Sequence, residues 1–166
     1  MKKVNTQKIA LTAMMVALTT VGTMVIQIPA LVANGYINIG DTFLMFTGLL
    51  LGPLAGFTAG SLGSALADLL SGYAIYAPIT FIVKGAEGLV CALIYKKLKK
   101  RYSIVATVPA GLLMAFGYFV GECFLYSPAG AAASILGNLA QGLANAVFAM
   151  LLHELLRKQL NKAFSL

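Results

Sequence analysis

The chain has 166 residues and a net charge of +7, yet 60% of it is hydrophobic and only 10% is charged. Soluble domains carry roughly 25% charged residues, and a fold this small could not bury so much apolar surface, so composition excludes an ordinary soluble domain and implies an integral membrane protein. The basic residues flank apolar runs instead of forming a patch on a polar surface, which argues against nucleic-acid binding.

A spanning helix needs about 20 apolar residues, and on that scale the chain divides into six segments. The first covers about 8–28 and is followed by a turn-rich loop, Pro29–Gly40, marked by Asn34-Gly35. No Ala-x-Ala cleavage signal precedes that loop, so the first segment is expected to be a retained helix and not a signal peptide. A shorter second segment, about 41–51, ends at Gly52-Pro53, and a third covers about 54–71. Pro78, a good first-turn residue, opens the fourth, about 78–95. The fifth and sixth cover about 104–125 and 131–156, separated by a turn at Ser127-Pro128 and Gly130. The whole of 1–166 reads as one all-α membrane domain.

Eleven of the twelve basic residues fall into three groups: Lys2, Lys3 and Lys8; Lys96, Lys97, Lys99, Lys100 and Arg101; and Arg157, Lys158 and Lys162. Cytoplasmic loops carry the excess of lysine and arginine. Six crossings put all three groups on the cytoplasmic side, with both termini, whereas five or seven would not. The expected location is the plasma membrane. The loops around Pro29–Gly40, Gly72–Ala77 and Tyr126–Gly130 then face outward, and none carries lysine or arginine.

Gly52, Gly56, Gly60, Ser64, Asp68 and Gly72 recur every four residues. Such a ridge of small residues lets membrane helices approach closely, and the glycines read as packing. Asp68 adds a carboxylate to the ridge near its outer end. Ala10, Ala13 and Ala17 give the first span a small face as well, suited to packing within the chain or to docking on another protein. Cys91 and Cys123 both lie in apolar stretches and read as buried thiols. With His153 the only histidine, no zinc or other metal site is expected.

The twelfth basic residue, Lys84, stands inside the fourth span, about six residues or roughly 9 Å from its outer end. An ionised side chain at that depth costs about 2.5–3.5 kcal/mol on insertion scales, so it is expected to face the bundle interior with a partner. Glu87 is one turn away on the same face, and Asp68 and Glu122 come from other spans at similar depth; Asp41 also falls in the outer half. Asn138, Gln141 and Asn145 lie within roughly 60° of one another on the sixth span. Tyr36, Asn38, Tyr73, Tyr76, Tyr118 and Tyr126 sit in or near the outward loops, where tyrosines commonly anchor at the interface. These residues predict a polar, partly aromatic pocket opening outward between the last three helices, fit for a small ring compound. No Walker A motif, Gly-x-Ser-x-Gly element or His-Glu-x-x-His motif is present. A short helical chain with an outward pocket and no energy source suggests a capture subunit.

The run Gly35-Tyr36-Ile37-Asn38-Ile39-Gly40-Asp41, with Leu51-Gly52-Pro53, Gly56, Gly60, Ala67-Asp68, Gly72-Tyr73, Tyr76-Ala77-Pro78 and Lys84-Gly85, resembles the substrate-binding S components of energy-coupling factor (ECF) vitamin importers. It is most like the branch assigned to hydroxymethylpyrimidine or vitamin B6 compounds such as pyridoxine. The resemblance implies six helices with both termini cytoplasmic, a vitamin site near the outer face closed by the first outward loop, and a toppling motion that releases the vitamin inward. It also implies a transmembrane coupling (T) protein and two ATPases that use ATP and magnesium, with no cofactor in this chain. Ala13 and Ala17 match the alanine pattern that contacts the coupling protein, and Ala10 extends that face. The expected vitamin site is Lys84, Asn138, Gln141 and Asn145, with Tyr36, Asn38 and Glu122 near the lid, Glu87 as ion-pair partner, and Asp68 as ligand contact or as the group that orients Lys84.

Neighbouring branches of such a family carry riboflavin, thiamine or folate. A stand-alone proton-coupled transporter using the buried carboxylates is the rival class; small size and the lack of an inverted repeat count against it. An intramembrane enzyme ranks last, because no nucleophile is spaced to meet a base.

Overall fold

A computed structural model describes residues 6–29 and 36–164. Lys2, Lys3 and the Asn34-Gly35 turn lie outside the described residues. In chain order the elements are α1 (Thr6–Val25), β1 (Gln27–Pro29), β2 (Tyr36–Asn38), α2 (Gly40–Leu51), α3 (Pro53–Thr58), a π turn (Ala59–Gly63), α4 (Ser64–Leu70), α5 (Ala77–Lys97), α6 (Ile104–Leu125) and α7 (Pro128–Phe164).

Four of the expected spans are helices long and apolar enough to cross a membrane: Thr6–Val25, Ala77–Lys97, Ile104–Leu125 and Pro128–Leu160. The second expected span is the shorter apolar helix α2. The third is a rod in which α3, the π turn and α4 follow one another directly. The chain is thus mostly helical, with one departure from an all-α fold. The first helix ends at Val25, not at Ile28, and Gln27–Pro29 pairs antiparallel with Tyr36–Asn38 as a short hairpin. The last helix is longer than the expected 131–156, reaching Phe164.

Local chemistry explains the breaks. Gly52 has φ 94°, a left-handed conformation that glycine adopts without a Cβ clash. Pro53 follows at the start of α3, where its missing N–H costs nothing. The π turn keeps the small-residue ridge in line. Positions four apart on an α-helix drift by about 40° per step, so a ridge from Gly52 to Asp68 would wind about 160° around the axis. The wider π turn takes back part of that rotation, and Gly56, Gly60, Ser64 and Asp68 are all buried.

The ridge packs on α5. A Cβ added to Gly56 would stand 2.6 Å from the Gly88 carbonyl oxygen, and one added to Gly48 would stand 2.7 Å from the same atom. Backbones of α2, α3 and α5 therefore meet at Gly88. Gly111 and Gly142 form the matching contact between α6 and α7, with a Cβ on Gly142 2.6 Å from the Gly111 oxygen. The apolar core of Leu44, Met45, Phe46, Leu49, Ala55, Ala59, Cys91, Ala106 and Ala146 fills the space between these contacts. Cys91 is buried, and Cys123 is half-buried and unpaired with it. Phe116, Phe124, Leu136 and Leu155 point outward, as lipid-facing residues do.

The ends of the bundle differ in charge. Lys100, Arg157 and Lys158 gather with Leu49 and Leu50, the end of α2. Lys8 lies with Leu54 and Ala55 of the segment that follows. The hairpin and the Asp68 end of α4 lie at the opposite end, where Gln27 Nε2 donates to Ser71 Oγ over 3.1 Å.

Candidate functional site

Lys84 is only 2% exposed and points into the bundle. Its ammonium donates to the Asp41 carboxylate and, at 3.3 Å, to Glu87 Oε2. Asp41 stands in the first turn of α2, so a buried ion pair joins α2 and α5. The other oxygen of Asp41 accepts from Gln141 Nε2 at 2.8 Å, which draws in α7. Asp68, considered above as the group that orients Lys84, accepts instead from the Tyr36 hydroxyl at 2.6 Å; Asp41 holds the ammonium.

Two amides of α7 grip the hairpin. Gln141 Oε1 accepts from the Asn38 N–H at 2.9 Å, and Asn145 Nδ2 donates to the Asn38 carbonyl, also at 2.9 Å. Asn145 Oδ1 accepts from both the N–H and the hydroxyl of Thr42, at 3.2 and 2.6 Å. Asn38 in turn accepts from the Gly40 N–H through its own Oδ1 at 2.9 Å, turning the chain from strand into α2.

Above this network lies a cavity. Lys84, Gln141, Asn138, Glu122, Tyr36, Asn38 and Asp68 all line it, as do Tyr73, Tyr76, Thr80 and Tyr118. Glu87 and Asn145 do not. Glu87 is fully buried behind Lys84 with one oxygen unpartnered, and Asn145 is engaged with Thr42 and the hairpin. Thr23 of α1 and Ser64 of α4 also contribute, so the cavity is wider than a cleft between the last three helices.

Tyr36, Tyr73, Tyr76 and Tyr118 are wall, not only interfacial anchors, whereas Tyr126 does not line the cavity. The Tyr36 and Tyr73 ring centroids are 4.9 Å apart, and the Lys84 Nζ lies 5.4 Å from the Tyr118 centroid, within cation–π range. Tyr118 and Thr80 share a hydrogen bond of 2.9 Å. Glu122 accepts from the Ser134 hydroxyl, and Asn138 Nδ2 reaches the same hydroxyl at 3.4 Å. Burial, and the Asp68 carboxylate beside it, hold the Tyr36 phenol well above its ordinary range, so it stays a hydrogen-bond donor. Two polar atoms of the wall are left without partners: the hydroxyls of Thr23 and Ser64 are buried and make no hydrogen bond among the described residues. Buried polar atoms are normally satisfied, so this wall has spare capacity for water or a polar ligand.

The sequence marked Asp41 only as an acid of the outer half, Tyr118 only among the tyrosines near the outward ends and Ser64 only as part of the small-residue ridge, and it did not single out Thr23. Tyr118 precedes Glu122 by one turn on α6, which is a usable signal. Asp41 carries no such local mark, since its partners lie 43 and 100 positions away.

The chain is 36% identical over 143 residues to an uncharacterized protein in the gap 3' region of Pyrococcus woesei, a match covering 85% of this chain and 95% of that one. Residues 3–158 match the model of the family described as ECF-type riboflavin transporter, S component. A match running from the start of α1 into the last turns of α7, over a membrane bundle with an internal polar cavity, makes this chain a member of the ECF-type S component family, the substrate-binding subunits of membrane transporters.

Proposed function

We propose that the chain captures a small vitamin, or vitamin precursor, with one polar ring, of the hydroxymethylpyrimidine or pyridoxine kind. The observation that carries this reading is the cavity itself: tyrosine rings, three amides and one ammonium converge on a single space. The cavity is small, about 60 Å³, which favours a compound with one ring over a larger fused-ring one. In this reading a ring lies among Tyr36, Tyr73 and Tyr118, its polar substituents meet Asn138, Gln141 and Lys84, and the unpartnered hydroxyls of Thr23 and Ser64 take what remains. Asn38, Asp68 and Glu122 complete the walls, while Glu87 and Asn145 act from behind.

The bundle sits with its basic end in the cytoplasm and the hairpin at the outer face, as six crossings with both termini inside; the gathering of Lys8, Lys100, Arg157 and Lys158 supports this orientation. The hairpin is the lid. Uptake is driven by a T protein and two ATPases that hydrolyse ATP with magnesium. Ala10, Ala13 and Ala17 are exposed on α1, which supports their use as the docking face for the T protein. Membership of a family of transporter subunits counts against a self-sufficient proton-coupled carrier.

Riboflavin is the second reading, favoured by the description of the matching family. Titration of the detergent-solubilised chain with hydroxymethylpyrimidine, pyridoxine and riboflavin, followed by calorimetry, separates the two. Saturable binding of a single-ring compound, with riboflavin excluded, is the expected result. A purified chain that carries flavin colour, or binds riboflavin alone, overturns the single-ring assignment. Ala13→Trp is expected to retain vitamin binding and to lose co-purification with the T protein.

A further inference from the structure

The basic end of the bundle holds a second cavity, which the capture reading does not use. Its volume is about 270 Å³, and Tyr95, Lys100, His153, Arg157 and Lys158 line it over a floor of Leu49 and Leu50. The turn that delivers Lys100 is unusual. Lys100 N–H bonds back to the Tyr95 carbonyl at 3.0 Å and Lys99 N–H to the Lys96 carbonyl at 3.1 Å, the paired bonds of a helix C-terminus that ordinarily closes on glycine. Here Lys99 and Lys100 have φ of 52° and 58°. Side chains other than glycine, asparagine and aspartate seldom take this conformation, and such residues gather at functional sites. The Tyr95 hydroxyl also donates to the Lys100 carbonyl at 2.9 Å, locking the turn.

The back wall is prepared too. His153 is buried, its ring 5.1 Å from that of Tyr95 and 6.5 Å from that of Phe46. Its Nδ1 has no hydrogen bond among the described residues, the Glu154 carboxylate standing 3.6 Å away. Glu154 is the one acid at this rim. It accepts from Ser103 Oγ at 2.8 Å and lies 3.3 Å from Arg157, and neither Lys100 nor Lys158 has an ion pair among the described residues. Three cations thus converge against one carboxylate that is already engaged.

We infer that this cavity binds a phosphate group, as carried by an anionic lipid headgroup or by free phosphate. Arginine's planar fork matches phosphate oxygens in pairs, and lysines add point charges. The cavity opens where α5 and α7 end their apolar stretches, the level at which a bilayer presents its headgroups, and basic pockets between spanning helices are suited to them. Restraining Lys100 in a conformation that glycine would occupy without strain makes sense if its ammonium is needed there.

The test uses the full chain in phosphatidylcholine vesicles containing a minor share of phosphatidylglycerol, extracted into mild detergent, with retained phospholipid measured by mass spectrometry. Phosphatidylglycerol is expected to be enriched about tenfold over its share. Arg157→Gln with Lys158→Gln should abolish that enrichment. Lys96→Gln with Lys97→Gln, which removes equal charge from exposed lysines outside the cavity, should not, and Lys100→Arg should preserve it. Vitamin titration of each variant verifies folding. An inorganic phosphate arm distinguishes the sources: a wild-type chain that binds phosphate at this rim, without lipid enrichment, assigns the site to free phosphate. Equal losses in the two double variants, or neither lipid enrichment nor phosphate binding in the wild type, would overturn the inference.

Discussion

Lys84 of α5 and Asp41 of α2 form a deeply buried ion pair that joins two helices, with side-chain exposures of 2% and 0%. Their contact holds the start of the helix that follows the hairpin against the middle of the bundle. Removing one partner of a buried pair leaves an uncompensated charge, so Lys84→Met is expected to lower stability by about 3–5 kcal/mol. Denaturant unfolding in detergent measures this. Adding Asp41→Asn should cost less than the sum of the single changes, because the two residues share one interaction. An unchanged unfolding midpoint for Lys84→Met would mean that the ammonium is solvated in the native state.

The two outer amides of the α7 stripe separate by role. Asn145 makes four hydrogen bonds, to Thr42, Asn38 and Gln141, so Asn145→Ala orphans several buried groups and is expected to cost about 2–4 kcal/mol. Ligand should then leave faster, because the hairpin is loosened. Asn138 lines the cavity and has one long bond to Ser134. Asn138→Ala is expected to weaken vitamin binding while shifting stability by less than about 1 kcal/mol. Unfolding curves and stopped-flow dissociation on the same two proteins check the contrast; equal effects on both readouts would remove the distinction.

Gly88 and Gly72 give opposite readings of glycine. Gly88→Ala pushes a methyl into the Gly56 backbone, which cannot rotate away, and is expected to destabilise by about 3 kcal/mol. Gly72 meets nothing within 4 Å but has φ 85°, so Gly72→Ala should cost only the left-handed strain, about 1 kcal/mol. Melting temperatures of the two variants decide this.

Tyr36 lends the protein a dependence on alkaline pH. Its phenol is held above its ordinary value in the fold, first by burial and then by the Asp68 carboxylate, whereas in the unfolded chain it ionises near pH ~10. Above that pH the unfolded state binds fewer protons than the native one, so this contribution is present below pH ~10 and declines as pH rises further. Tyr36→Phe should flatten the decline in melting temperature on the alkaline side. A slope identical to wild type would place the loss elsewhere, with Tyr76, also raised by burial, the first residue to try.

Lys99 offers a gain. Glycine in its place relieves the left-handed backbone, and Lys99→Gly is expected to raise stability by about 1 kcal/mol. Thermal unfolding at high salt, where the lost charge matters least, is the suitable measurement.

The membrane class, the basic groupings and Lys84 as an inward-facing cation could be read from composition and spacing, because burying charge in hydrocarbon is so unfavourable that a lone lysine must turn inward. The hairpin could not: strands of three residues are too short to show an alternating pattern. The π turn left no mark either, since backbone winding there depends on packing against α5. The amide stripe of α7 was visible as a stripe, yet spacing cannot say that Gln141 reaches Asp41 and the cavity while Asn145 turns to Thr42. The pairing of Asp41 with Lys84 escaped for the same reason: helix register across 43 positions is set by which surfaces meet, and no local period encodes it.

The grip of α7 on the hairpin falls on main-chain atoms of Asn38, its N–H to Gln141 and its carbonyl to Asn145. A clasp that closes on backbone is indifferent to much of what the neighbouring strand positions carry. Tyr36 and Ile37, which line the cavity from the same strand, take no part in that clasp, so a change of side chain at Ile37 would alter the cavity wall and leave the fastening of the strand intact.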